Sequence, residues 1–70
     1  VENVYDGLTI DVQERTIIVH STQSQDFVLY DVVGHLISQE PHTSIAYFRV
    51  PSAGLYILRT NHGFIKIKVE

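Results

Sequence analysis

Seventy residues suffice for one domain and no more, and a chain this short buries only about 60% of the surface its unfolded form exposes. An apolar fraction of 44% beside 19% charged residues is that of a chain with a core, not of a disordered tail. The formal charge of −3 and the five scattered Lys and Arg argue against nucleic acid, and the absence of cysteine excludes disulfides, zinc-thiolate sites and thiol catalysis.

In chain order, the start Val1-Glu2-Asn3 has neither a basic nor an apolar leader region, and no later run approaches the roughly 18 apolar residues of a membrane span. With no initiator methionine, the chain is expected to be a single domain, 1–70, cut from a longer precursor. Apolar residues then recur with period two and are rich in Val, Ile, Tyr and Phe, the pattern of half-buried strands. The runs are 8–12, 16–21, 27–31, 35–39, 45–50, 55–60 and 64–69, with no helix. Gln13-Glu14-Arg15 joins the first two without Gly or Pro, whereas Asp31-Val32-Val33-Gly34 and Asn61-His62-Gly63 suit a type I turn followed by a glycine bulge. Pro41 falls in a polar stretch, 38–44, that reads as a loop, and Pro51 presets the turn that ends at Gly54. These signals predict an all-β fold: a small immunoglobulin-like sandwich of about seven antiparallel strands in two sheets.

Alternation assigns faces. Leu8, Ile10, Val12, Phe48, Val50, Tyr56, Leu58, Ile65, Ile67 and Val69 form the expected core, and Phe64, Lys66 and Lys68 take the opposite face of the last strand. A basic pair on a terminal strand also blunts edge-to-edge aggregation.

No constellation has the form of an active site. His20, His35, His42 and His62 fall on separate runs and loops without carboxylates at ligand spacing, so they read as surface or turn residues and no metal or cofactor is expected. Ser21, Ser38, Ser44 and Ser52 lack a nucleophile context, and the pairs Asp6 with Asp11 and Asp26 with Asp31 read as solvated carboxylates, not as a general acid and base. The chain is therefore not expected to be an enzyme. Tyr5, Phe27, Tyr30, Tyr47, Phe48, Tyr56 and Phe64 are numerous enough for a sugar platform, although core packing accounts for most of them, and Tyr56 is placed to pack its ring over Gly54.

The order of signals is more distinctive than any one of them: Leu29-Tyr30-Asp31-Val32-Val33-Gly34, a variable loop, Val50-Pro51-Ser52-Ala53-Gly54-Leu55-Tyr56, then Gly63 and Lys66. In this the chain resembles, from Leu8 to Glu70, the C-terminal sorting domain of proteins exported by the type IX secretion system of Bacteroidetes. The matching positions are Tyr30, Asp31 and Gly34, then Gly54 and Tyr56, then Lys66, and with Gly63 they become the candidate recognition residues. Two positions depart from that pattern: no Pro-Asn-Pro stretch occurs around Val4-Tyr5-Asp6-Gly7, and Lys68 stands where an apolar residue is usual.

The resemblance implies a detachable address label. An N-terminal cargo protein would be carried through the periplasm to the outer-membrane translocon and shuttle proteins of the system. A surface sortase would then remove the label, leaving the cargo at the cell surface or outside the cell. Recognition would use a sheet face or strand addition at an open edge, and an open edge would also pair two copies into a homodimer. The competing reading is a carbohydrate-binding or adhesive β-sandwich module attached to an extracellular enzyme, and a third is an immunoglobulin-like spacer.

Overall fold

The structure, a computed structural model, describes residues 2–5 and 7–70, with side chains described from Gly7 onward. The expected pair of Asp6 with Asp11 thus lies partly outside the described residues. All regular structure is antiparallel β: β1 (Glu2–Tyr5), β2 (Leu8–Gln13), β3 (Thr16–Asp31), β4 (Leu36–Arg49), β5 (Gly54–Thr60) and β6 (Gly63–Val69).

The organising element is β3. Its odd-numbered residues Ile17, Val19, Ser21, Gln25, Phe27 and Leu29 are buried while its even-numbered ones are half-buried or exposed. Period two is therefore kept on both sides of an exposed stretch, 22–24, so the inward face of this 16-residue strand is interrupted only at the bend. On one side β3 pairs with β4 from Thr16↔Arg49 to Tyr30↔Leu36. On the other side β2 covers residues 16–21 of β3, and β5 covers residues 28–31. The result is one hydrogen-bonded sheet of six strands in the order β1-β2-β3-β5-β6, with β4 against β3.

This corrects the expected count and layering: among the described residues six strands in one sheet stand where seven in two sheets were predicted. The runs at 16–21 and 27–31 are a single strand, as are those at 35–39 and 45–50, and β1 is additional. The polar stretch 38–44, expected as a loop, lies within β4. Backbone pairing needs no apolar side chain, and Gln25↔Thr43, Phe27↔Glu40 and Val28↔Gln39 carry it through.

Register shifts at those stretches bend the hairpin. β3 advances from His20 to Gln25 while β4 retreats only from Ile45 to Thr43, and the surplus then passes to β4 between Thr43 and Glu40. There Pro41 and the left-handed His42 (φ 51°) sit, and the Asp26 carboxylate accepts the His42 N–H at 2.7 Å. Proline is tolerated because β4 has a neighbour on one side only and the bulge leaves its missing donor unneeded. Inside the bend, Gln25 donates to Ser21 Oγ at 3.0 Å and accepts the Asn61 N–H at 2.9 Å, tying the corner of β3 to the β5–β6 turn. No described buried side-chain polar atom lacks a partner.

The bent sheet folds onto itself. One arm, β1, β2, the first half of β3 and the second half of β4, contributes Leu8, Ile10, Ile17, Val19, Ala46 and Phe48. The other arm, the first half of β4, the second half of β3, β5 and β6, contributes Phe27, Leu29, Tyr56, Leu58, Ile67 and Val69 to the same cluster. Val12, Ile37 and Ile65 pack against it from the rim. Every described core residue that alternation predicted is buried or packed on this cluster, and the arms fill a body only 16 Å across its shortest axis.

Candidate functional site

The second arm gathers all seven candidate residues. Antiparallel register sets Asp31 beside Tyr56 and Tyr56 beside Ile67, Tyr30 beside Ile57 and Ile57 beside Lys66. Gly54 lies opposite Val69, and Thr60 is opposite Gly63 at the β5–β6 turn. Residues that span Tyr30 to Lys66 in sequence thus share three adjacent strands and the turns that join them. They do not all point the same way, however, and this separates their roles.

Asp31 builds the β3–β4 turn. Its Oδ1 accepts the N–H groups of Val33 at 3.0 Å, Gly34 at 2.9 Å and His35 at 2.8 Å, and Oδ2 meets His35 Nδ1 at 3.2 Å. A carboxylate can accept several donors at once, and each favours the charged form. The His35 N–H, then the His35 ring and the amides of Gly34 and Val33, hold the carboxyl below its ordinary range against a smaller opposing effect of burial. Gly34 closes the turn at φ 103°, a conformation that L side chains rarely adopt, and donates its N–H to the Asp31 carbonyl at 3.1 Å.

Tyr56 is 4% exposed and belongs to the core. Its hydroxyl donates to the Ser52 carbonyl at 2.7 Å and so closes the turn that leads into β5. Little of this side chain is available to a partner. Gly63, at φ 125°, follows the same logic as Gly34, with Thr60 Oγ1 donating to its carbonyl at 3.3 Å and accepting the His62 N–H at 3.0 Å. Asp31, Gly34, Tyr56 and Gly63 therefore shape the arm from within or at its turns.

Tyr30 and Lys66 remain on the outer face, either side of Ile57. Alternation brings further residues to that face. Val28 stands beside Arg59 and Arg59 beside Phe64 in one row, and Leu36, Tyr30, Ile57 and Lys66 make the next. Leu55 and Lys68 pair in a third. Phe64 is 68% exposed, Leu36 56% and Leu55 45%, a concentration of apolar area that the interior of a free domain would normally claim. Phe64, Lys66 and Lys68 were expected here from the period of β6. Leu36, Leu55 and Arg59 were not singled out, and the same alternation on β5 was the signal for two of them.

The other constellations dissolve into local structure. Asp26 and Asp31, five residues apart on one strand, fall on opposite faces, and each accepts backbone amides, Asp26 from the β4 bulge and Asp31 from the β3–β4 turn. Among the described residues no three His, Cys, Asp or Glu come together as a metal site. Phe27, Phe48 and Tyr56 are core, while the exposed aromatics Tyr47 and Phe64 lie on different arms and do not form one platform. Among the described residues no helix is long and apolar enough to cross a membrane. No protein-family model and no curated protein matches the chain.

Proposed function

We propose that this chain is a sorting domain that directs an N-terminal cargo across an outer membrane by the type IX route, and that it performs no chemistry itself. The observation that carries the proposal is convergence: Tyr30, Asp31, Gly34, Gly54, Tyr56, Gly63 and Lys66, the positions on which the resemblance rests, fall in one arm of the sheet. In this reading the two arms serve as the two layers of the sandwich that the resemblance implies. Asp31, Gly34, Gly54, Tyr56 and Gly63 hold the arm in shape, and the outer face around Tyr30, Ile57 and Lys66 meets the translocon and its shuttle proteins. The sortase cuts on the cargo side once the domain has passed.

Such a division of labour suits a transported label, which must fold reproducibly in transit and present a surface that does not depend on the cargo. The test is transfer. The chain is fused behind a fluorescent protein that folds in the periplasm of a bacterium with a working type IX system. Surface delivery of the folded reporter is the expected result, and a folded fusion that stays in the periplasm overturns the proposal. Truncating β6 is the weaker test, because Ile67 and Val69 are core residues and their removal unfolds the domain whatever its function.

A carbohydrate-binding module predicts instead that glycan affinity is lost on replacing an exposed aromatic. Phe64→Ala and Tyr47→Ala are the substitutions that leave the core intact.

A further inference from the structure

The outer face of the second arm is both apolar and basic, and its charge is unanswered. Three of the five Lys and Arg residues of the chain, Arg59, Lys66 and Lys68, stand on it, although the chain as a whole carries −3. None of the three has a carboxylate partner among the described residues. Carboxylates occur only at its margins, where Asp26 is occupied by the His42 amide and Glu70 follows β6. Phe64 is set in the same row as Arg59, and Lys66 and Lys68 follow it along β6 with period two.

Among the described residues β6 pairs with β5 alone, so its far side forms an open edge whose backbone donors and acceptors pair with none of them. An added strand would place its side chains opposite Phe64, Lys66 and Lys68, close enough to interact pair by pair. A second copy of this chain is a poor occupant. Adding β6 to β6 sets lysine against lysine, or lysine against Phe64, and like charges placed opposite each other oppose pairing.

We infer that the open edge of β6 receives an extended acidic segment of another protein. That segment carries two carboxylates two residues apart, opposite Lys68 and Lys66, and an apolar side chain two residues further on, opposite Phe64. The lysines then have two effects with one cause: they prevent copies of the domain from pairing through β6 and they select a strand of opposite charge. The inference rests on the sorting reading for where the segment is met, since it assigns to that same arm the chemistry of its partner.

The experiment uses the full chain and three probes: a short blocked peptide of alternating Glu and Val that ends in Phe, its counterpart with Lys in place of Glu, and vesicles of an anionic phospholipid. Binding is followed by fluorescence anisotropy of the peptides and by backbone amide shifts of the protein. The acidic peptide is expected to bind about tenfold or more tightly than the basic one, to lose that advantage with added salt, and to shift the amides of β6. The double variant Lys66→Glu, Lys68→Glu is expected to reverse the preference. Lys66→Gln with Lys68→Gln abolishes it, and circular dichroism matching that of the parent shows that the fold is kept. Equal affinity for the two peptides, no reversal in the charge-swapped variant, or uptake by vesicles without binding of the acidic peptide overturns the inference. Failure of the reporter fusion to reach the surface overturns the sorting reading and leaves a measured charge preference standing, so the two failures are distinct.

Discussion

Replacing Tyr56 separates a residue that shapes the second arm from one that a partner would read. Tyr56→Phe keeps the ring in the core and removes only the hydroxyl that donates to the Ser52 carbonyl at 2.7 Å. An intramolecular hydrogen bond contributes a net ~0.5–1.5 kcal/mol. Ser52 is exposed, so water replaces the lost donor and the cost falls toward the lower end. Tyr56→Ala removes a ring that is 4% exposed, and large aromatic truncations in cores cost about 3–5 kcal/mol.

At roughly 0.05–0.15 kcal/mol per residue, a chain of 70 residues has about 4–10 kcal/mol of stability in all. Alanine therefore removes a large share of it, whereas phenylalanine lowers the melting temperature by only a few degrees, at about 4–8 °C per kcal/mol for a domain of this size. The chain has no tryptophan, so the assay is urea unfolding followed by far-ultraviolet circular dichroism. Under the sorting proposal the phenylalanine variant keeps surface delivery. Unchanged stability in Tyr56→Ala would refute the structural role assigned to the ring. Loss of delivery in Tyr56→Phe at near-parental stability would show that the hydroxyl is read by a partner.

The remaining predictions concern turns and the corner of β3. Glu14 (φ 49°) and Arg15 (φ 61°) are both left-handed, as a two-residue type I′ hairpin requires, so Glu14→Asn with Arg15→Gly is expected to raise stability by about 1 kcal/mol. An unchanged urea midpoint would count against this geometry. Hydrogen bonds lower the carboxyls of Asp31 and Asp11, the latter chiefly through the Gln13 side chain at 2.7 Å. Their stabilisation is fully present above the unfolded value of about 3.9 and is lost as pH falls through the lower folded values. Asp31→Asn therefore weakens the domain at neutral pH and flattens its acid unfolding limb, and an acid limb identical to the parent's would refute the assignment. Gln25→Ala leaves the Asn61 amide without its acceptor and removes one of the two donors to Ser21 Oγ inside the bend, at an expected cost of about 1–3 kcal/mol in the same urea assay. A smaller loss would mean that the corner is held by the ladder alone.

Much of the second arm was legible in the chain itself. Period two placed Lys66, Lys68 and Phe64 on one side of β6 and Ile65, Ile67 and Val69 on the other, because successive side chains of a strand must alternate. Asp31 with Gly34 announced the β3–β4 turn for a local reason as well, since a carboxylate three residues before a glycine can accept the amides between them. The turn at Glu14 and Arg15 carried no such signal, because neither residue favours the left-handed conformation it adopts there. Pairing of Leu8–Gln13 with β3 imposes it from outside.

Alternation, turn chemistry and the inward face of β2, β5 and β6 were thus determined locally, by side chains acting on their own backbone and near neighbours, whereas Ile17, Val19, Phe27, Leu29 and Ala46, the centre of the core, were not singled out. How many strands those runs make, and in how many sheets, was decided only in three dimensions. Whether a polar stretch such as 22–24 leaves the ladder or bends within it depends on a partner strand some twenty residues away, and Gln25↔Thr43 settles it in favour of bending. The same long-range pairing gathers Tyr30, Arg59, Phe64 and Lys66 onto one outer face. No spacing along the chain expresses that grouping, because strand register relates residues through backbone hydrogen bonds between strands and not through their order in sequence.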